Sequence, residues 1–161
     1  MIQLTQKERT LLEDHKKHEQ ICIEKYTNYA NQTQSPQLKQ LFQSYAAQEQ
    51  NHYDTVNQIL SGQVPNLNQS QQSAGSQQQI AANAAPSATN MQGAMADQSD
   101  ASLLNDMLMT EKYVSSTYDT AIFEFTDSNV RQALNHIQKE EQQHGEGIFN
   151  YMQSQGMYNP Q

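Results

Sequence analysis

One spacing occurs twice in this chain and constrains its fold more than any other feature. Glu49-x-x-His52 and Glu141-x-x-His144 each have a Glu thirty residues ahead, Glu19 and Glu111. A single offset of 92 relates the halves and also pairs Tyr26 with Tyr118. Both Glu-x-x-His motifs sit in apolar series of helical period: Leu38, Leu41, Phe42, Tyr45, Val56 and Ile59 around the first, Val130, Leu134, Ile137, Ile148 and Tyr151 around the second. Residues three apart on a helix lie one above the other, so each Glu and His falls on the face that carries the core residues. A turn signal lies midway in each half, Gln34-Ser35-Pro36 and Thr126-Asp127-Ser128. If each half is a helical hairpin, its two Glu residues stand level, roughly 22 Å from the turn at 1.5 Å per residue.

The expected architecture is therefore all-α: an antiparallel four-helix bundle made of two hairpins, 5–61 and 102–156, joined by a long crossover. Thr5 with Glu8 forms a capping box ahead of the first helix, which runs to about Asn31. Ser35-Pro36 starts the second, and Gly62 stops it. The third is expected from Ser102, and Asp127 caps the fourth, which ends near Gly156. Residues 62–101 are rich in Gln, Asn, Ser, Ala and Gly, with too few apolar side chains to offset ordering entropy, and read as a flexible connector. They also account for an apolar share of only 35%. Gly145 and Gly147, each costing about 1 kcal/mol within a helix, imply close helix approach or a local bulge.

In such a bundle Glu19, Glu49, His52, Glu111, Glu141 and His144 converge in the interior. Four ionised carboxylates there are untenable alone, and no Lys or Arg shares their stripes. Two divalent cations would balance them, with the imidazoles as neutral nitrogen ligands; this donor set suits iron or manganese, and zinc less specifically. The competing reading is a bundle whose carboxylates are protonated or hydrogen-bonded without metal. Tyr26 and Tyr118 lie two turns beyond Glu19 and Glu111, as core tyrosines with satisfied hydroxyls, or else as partners of the ligand carboxylates or carriers of electrons. His15 precedes Glu19 by one turn, but Met107 is its counterpart in the repeat, which argues against a ligand; His18 and His136 read as surface residues.

A net charge of −8 and a pI near 4.9 argue against nucleic acid or anionic membrane as partners. The single Cys22 excludes an internal disulfide framework or multi-cysteine metal centre, and reads as a small buried thiol. No signal peptide or membrane-spanning run is expected. There is no nucleophilic triad or phosphate-binding glycine loop, so no catalytic residue is assigned.

The paired Glu…Glu-x-x-His pattern resembles the ferritin-like di-metal carboxylate proteins. With Glu-x-x-His in both halves it is more similar to rubrerythrin, bacterioferritin or manganese catalase than to ferritin. Over residues 101–161 the segments Thr110-Glu111-Lys112-Tyr113, Tyr118-Asp119-Thr120-Ala121-Ile122-Phe123-Glu124, Arg131-Gln132-Ala133-Leu134 and Glu140-Glu141-Gln142-Gln143-His144-Gly145-Glu146 resemble the CotF-like spore coat proteins of endospore-forming bacteria. The ending Met152-Gln153-Ser154-Gln155-Gly156-Met157-Tyr158 is similar too, although Trp is commoner where Met157 stands. That resemblance implies a structural or associative coat component, made in the mother-cell cytoplasm, with other coat proteins or further copies of itself as partners. The alternatives are a di-iron or dimanganese oxidoreductase acting on peroxide or oxygen, and a metal-storage protein.

Overall fold

The computed structural model describes residues 2–65 and 91–158, with the backbone alone for 91–99. The described residues form four helices and no strand: α1 (Gln6–Gln32), α2 (Pro36–Leu60), α3 (Met91–Ile122) and α4 (Ser128–Ser154). The expected starts of α1, α2 and α4 have a local cause. The Thr5 N–H donates to Glu8 Oε2 at 2.7 Å and the Glu8 N–H to Thr5 Oγ1 at 3.2 Å, the reciprocal bonds of a capping box. Ser35 accepts from the Leu38 N–H ahead of Pro36, and Asp127 from the N–H groups of Asn129 and Val130. Gly62 and Gly156 follow the ends of α2 and α4 with φ of 83° and 69°, where a side chain would be strained.

The third helix departs from the sequence expectation. It begins at Met91 rather than Ser102, so residues 91–101 are helix and not connector. Ala94, Met95, Ala96, Gln98 and Ala101 are strong helix formers. Extending a helix already held by its packed part adds a hydrogen bond per residue with no nucleation cost. The remainder of the expected flexible connector, 66–90, lies outside the described residues, as does the end of the chain at 159–161.

Helix α1 pairs with α2 and α3 with α4 as hairpins, and α1 packs on α3 and α2 on α4 across them. Each hairpin's turn lies beside the open end of the other. The Ser35 hydroxyl is 3.0 Å from that of Tyr151, while the Thr126 N–H donates to Glu8 Oε1 at 2.8 Å and Lys7 pairs with Glu124. Two apolar clusters fill the interior. Leu12, Val56, Ile59, Phe125, Val130 and Leu134 lie toward the turn of the second hairpin. Leu38, Phe42, Leu104, Met107, Ile148 and Met152 lie toward the turn of the first. Between these clusters the helices turn polar side chains inward.

Candidate metal centre

The register of the two hairpins brings all six acidic and imidazole residues of the repeat to the middle of the bundle, each at most 2% exposed. They form two overlapping groups, Glu19–Glu49–His52–Glu141 and Glu49–Glu111–Glu141–His144. Within each, four potential ligand atoms lie within 4.8 Å of one another. Glu49 and Glu141, from α2 and α4, belong to both groups; each group adds one Glu from α1 or α3 and one His.

The offset of 92 in the sequence reappears as two-fold symmetry in space. Tyr26 on α1 donates its hydroxyl hydrogen bond to Glu111 on α3, and Tyr118 on α3 donates to Glu19 on α1. Both tyrosines are fully buried, and burial followed by the neighbouring carboxylate charge holds their hydroxyls protonated. They are thus partners of the candidate ligands as well as core residues. His52 Nδ1 lies 3.0 Å from Glu49 Oε2 and 3.2 Å from Glu141 Oε1, and His144 Nδ1 lies 3.1 Å from Glu49 Oε1. Both imidazoles therefore present Nδ1 to the centre and turn Nε2 outward.

Among the protein groups alone, protons and imidazolium charges balance the carboxylates. Burial would raise Glu49, but the charge and hydrogen bonds of His144 and His52 outweigh it and bring it down to about 2. Glu141 is likewise lowered, its burial and the Glu49 charge overcome by the two histidines. Glu19 is raised well above the carboxylate range, first by burial and then by the charges of Glu141 and Glu49. Burial and Glu141 push Glu111 up to about 7. Burial disfavours imidazolium at both histidines, yet surrounding carboxylates raise both well above the ordinary value. Two imidazolium ions thus face two carboxylates, Glu49 and Glu141, with Glu19 neutral and Glu111 partly protonated near neutral pH.

This set fits a pair of divalent cations. Glu19 Oε2, Glu111 Oε2 and Glu141 Oε2 are buried with no hydrogen-bond partner, a costly condition that a shared cation would relieve. Carboxylate oxygens with one imidazole nitrogen on each side are donors suited to iron or manganese. Glu19 and His52 would hold one ion, Glu111 and His144 the other, with Glu49 and Glu141 between them.

Other residues take places the sequence did not reveal. His15 stacks on Tyr118, with ring centroids 4.0 Å apart and planes 12° apart, and is in neither ligand group. Burial, then the charge of His18, lowers it to about 4. His18 and His136, read as surface residues, are half-buried. Glu140, outside the six repeat residues, accepts at Oε2 from His52 Nε2 at 2.8 Å; across the pseudo-two-fold, Gln48 Oε1 accepts from His144 Nε2 at the same distance. The repeat offset pairs Gln48 with Glu140 and was the signal that could have found them.

Tyr45, whose ring lies over His144 with centroids 4.3 Å apart, decides the question of the two glycines. A Cβ on Gly147 would overlap the Tyr45 hydroxyl and stand 3.1 Å from its Cζ; one on Gly145 would make ordinary contacts, 3.9 Å from Leu108 and 4.0 Å from Glu111. Close approach, not a bulge, explains Gly147. Gly147→Ala should displace Tyr45 from His144 and lower stability by about 1–3 kcal/mol through overpacking. Gly145→Ala should be neutral or stabilising by up to about 1 kcal/mol, the helix-propensity gain. Urea unfolding of both variants checks this, and equal effects would contradict it.

The fold and site define a class: an all-α four-helix bundle built around a buried acid–imidazole centre. Residues 99–161, the end of α3's first turns through α4 and the C-terminus, match the family model of the Coat F domain. Over that span the chain is similar to the Coat F domain, in agreement with the motifs quoted above. No curated protein and no solved structure matches the chain. Among the described residues, no helix is long and apolar enough to cross a membrane.

Proposed function

We propose that the protein is a structural or associative spore coat component whose four helices form a single ferritin-like domain with a centre for two divalent metal ions, iron or manganese. One observation carries the metal reading: two buried ligand groups, each with its own Glu and His, share Glu49 and Glu141. The Coat F match carries the coat reading. Association with other coat proteins or further copies is supported by exposed apolar side chains, among them Ile21, Met109 and Tyr113, which line one groove with Cys22 and Val114. A full-length fluorescent fusion made in the mother cell of a sporulating bacterium should concentrate on the forming spore. A signal uniform through the mother-cell cytoplasm would contradict the coat assignment.

A second reading, an oxidoreductase acting on peroxide or oxygen, is favoured by the two tyrosines bonded directly to candidate ligands. When bound, iron or manganese supplies redox chemistry and Lewis acidity. The chain's residues would orient the ligand carboxylates through Tyr26 and Tyr118 and exclude bulk water with the apolar clusters on either side. Metal-loaded protein that consumes peroxide, with consumption lost in folded Glu141→Ala, would establish this reading; no consumption leaves the structural one. A metal-storage role would instead require a large symmetric particle on size-exclusion chromatography.

A further inference from the structure

The two halves of the centre differ in what holds the outer nitrogen of each histidine. His52 Nε2 faces a carboxylate, Glu140, at 2.8 Å; His144 Nε2 faces a neutral amide, Gln48, at 2.8 Å. An ionised carboxylate can only accept, so Nε2 of His52 carries a proton, and Nδ1, once it gives up its own proton to a cation, would offer its lone pair toward the centre. The surroundings of these acceptors differ as well. Glu140 is only 9% exposed, and its other oxygen lies 3.5 Å from His136 Nε2 without a hydrogen bond between them. The residue equivalent to His136 is Ser44, whose hydroxyl donates to the Leu41 carbonyl at 2.7 Å.

We propose that the two metal positions are inequivalent, the one held by Glu19 and His52 binding a divalent cation more tightly than the one held by Glu111 and His144, because Glu140 acts as a positioning residue for His52. A carboxylate behind a ligating imidazole fixes its tautomer and orientation, makes the facing nitrogen more basic and adds a negative charge near the cation. An amide fixes orientation only. Changing such an outer partner typically costs 10–100-fold in metal affinity. This inference rests on the metal-centre reading above and extends it.

The test is a titration of full-length, chelator-stripped protein with Mn²⁺, followed by calorimetry and by the electron paramagnetic resonance signal of free Mn²⁺. Wild type should bind in two steps, the tighter lost in His52→Ala and retained in His144→Ala. Glu140→Gln should weaken the tighter step about 10–100-fold and leave the other in place. The exchange variant Glu140→Gln/Gln48→Glu keeps charge and side-chain shape, so it separates this effect from net charge and serves if Glu140→Gln folds poorly by circular dichroism. In it the tighter step should move to the half containing His144, and be lost on adding His144→Ala. Two bound Mn²⁺ with affinities unchanged by Glu140→Gln, or an exchange variant that keeps the original preference, would overturn the proposal and leave the metal centre standing. Wild type that binds no Mn²⁺ would remove the metal centre itself, and the proposal with it.

Discussion

Stripped of metal, the protein should lose stability as the pH rises from 6 to 8, whereas the stabilisation conferred by added Fe²⁺ or Mn²⁺ should grow over the same range. His52 and His144 have folded-state values raised well above the ordinary imidazole value. Their contribution is fully present below the unfolded value, about 6.5, and is lost as the pH climbs toward the folded one. Glu19, raised well above the carboxylate range, and Glu111, raised to about 7, act in the same direction. Each proton that the fold retains and the unfolded chain has released costs about 1.4 kcal/mol per pH unit. Two such groups acting fully cost about 3 kcal/mol per unit, or about 6–12 °C in Tm for a chain of this size. Glu49 and Glu141 work the other way: both are depressed, Glu49 to about 2, so their contribution is lost only on acidification below the ordinary carboxylate value. Metal requires deprotonated ligands and displaces the retained protons, which reverses the slope. Thermal denaturation in chelator and with excess metal, at pH 6, 7 and 8, reads both trends. A chelated protein whose Tm rises through this range would contradict the proton assignment.

Of the four central carboxylates, two should tolerate an amide in the metal-free protein and two should not. Glu19 is buried and neutral, accepting the Tyr118 hydroxyl, and Gln keeps both shape and neutrality. Glu19→Gln should therefore change unfolding free energy by less than about 1 kcal/mol, since similar volume and hydrogen bonding are preserved. Glu49 is the anion facing both imidazoles, at 3.0 Å and 3.1 Å. Glu49→Gln leaves buried positive charge short of a partner, a class of change that costs about 3–5 kcal/mol. The cost should be largest near pH 5.5, where unfolded histidine is itself protonated, and smaller at pH 8. Both substitutions should abolish metal binding at the His52 side. Urea unfolding in chelator at pH 6 separates them, and equal losses would show that the four carboxylates share charge evenly.

Much of this organisation was legible because the repeat acts at two levels. Period and caps defined α1, α2 and α4, and the matched spacing of Glu19 and Glu49 with Glu111 and Glu141 put four carboxylates at one height. The beginning of α3 was not legible, since Gln, Ala and Met between 91 and 101 serve equally in a linker or in an extended helix. Nor was the charge balance: sequence showed the lack of Lys and Arg on these stripes, but not that each imidazole could take a proton and face Glu49. Glu141 lies 3.2 Å from His52 as one of its counter-ions. Glu140 escaped notice because its partner is on α2; only the packing of α2 on α4 brings it to His52.

The central claim is that these six residues hold metal, and elemental mass spectrometry tests it most directly. The protein should be purified without chelator or affinity metal, alongside Glu49→Ala/Glu141→Ala. About two iron or manganese ions per chain in wild type, and almost none in the folded double variant, is the expected result. Wild type with less than about a tenth of that content, and no uptake on reconstitution with Fe²⁺ or Mn²⁺, would contradict it. The centre would then be a proton-balanced polar core within the helix bundle.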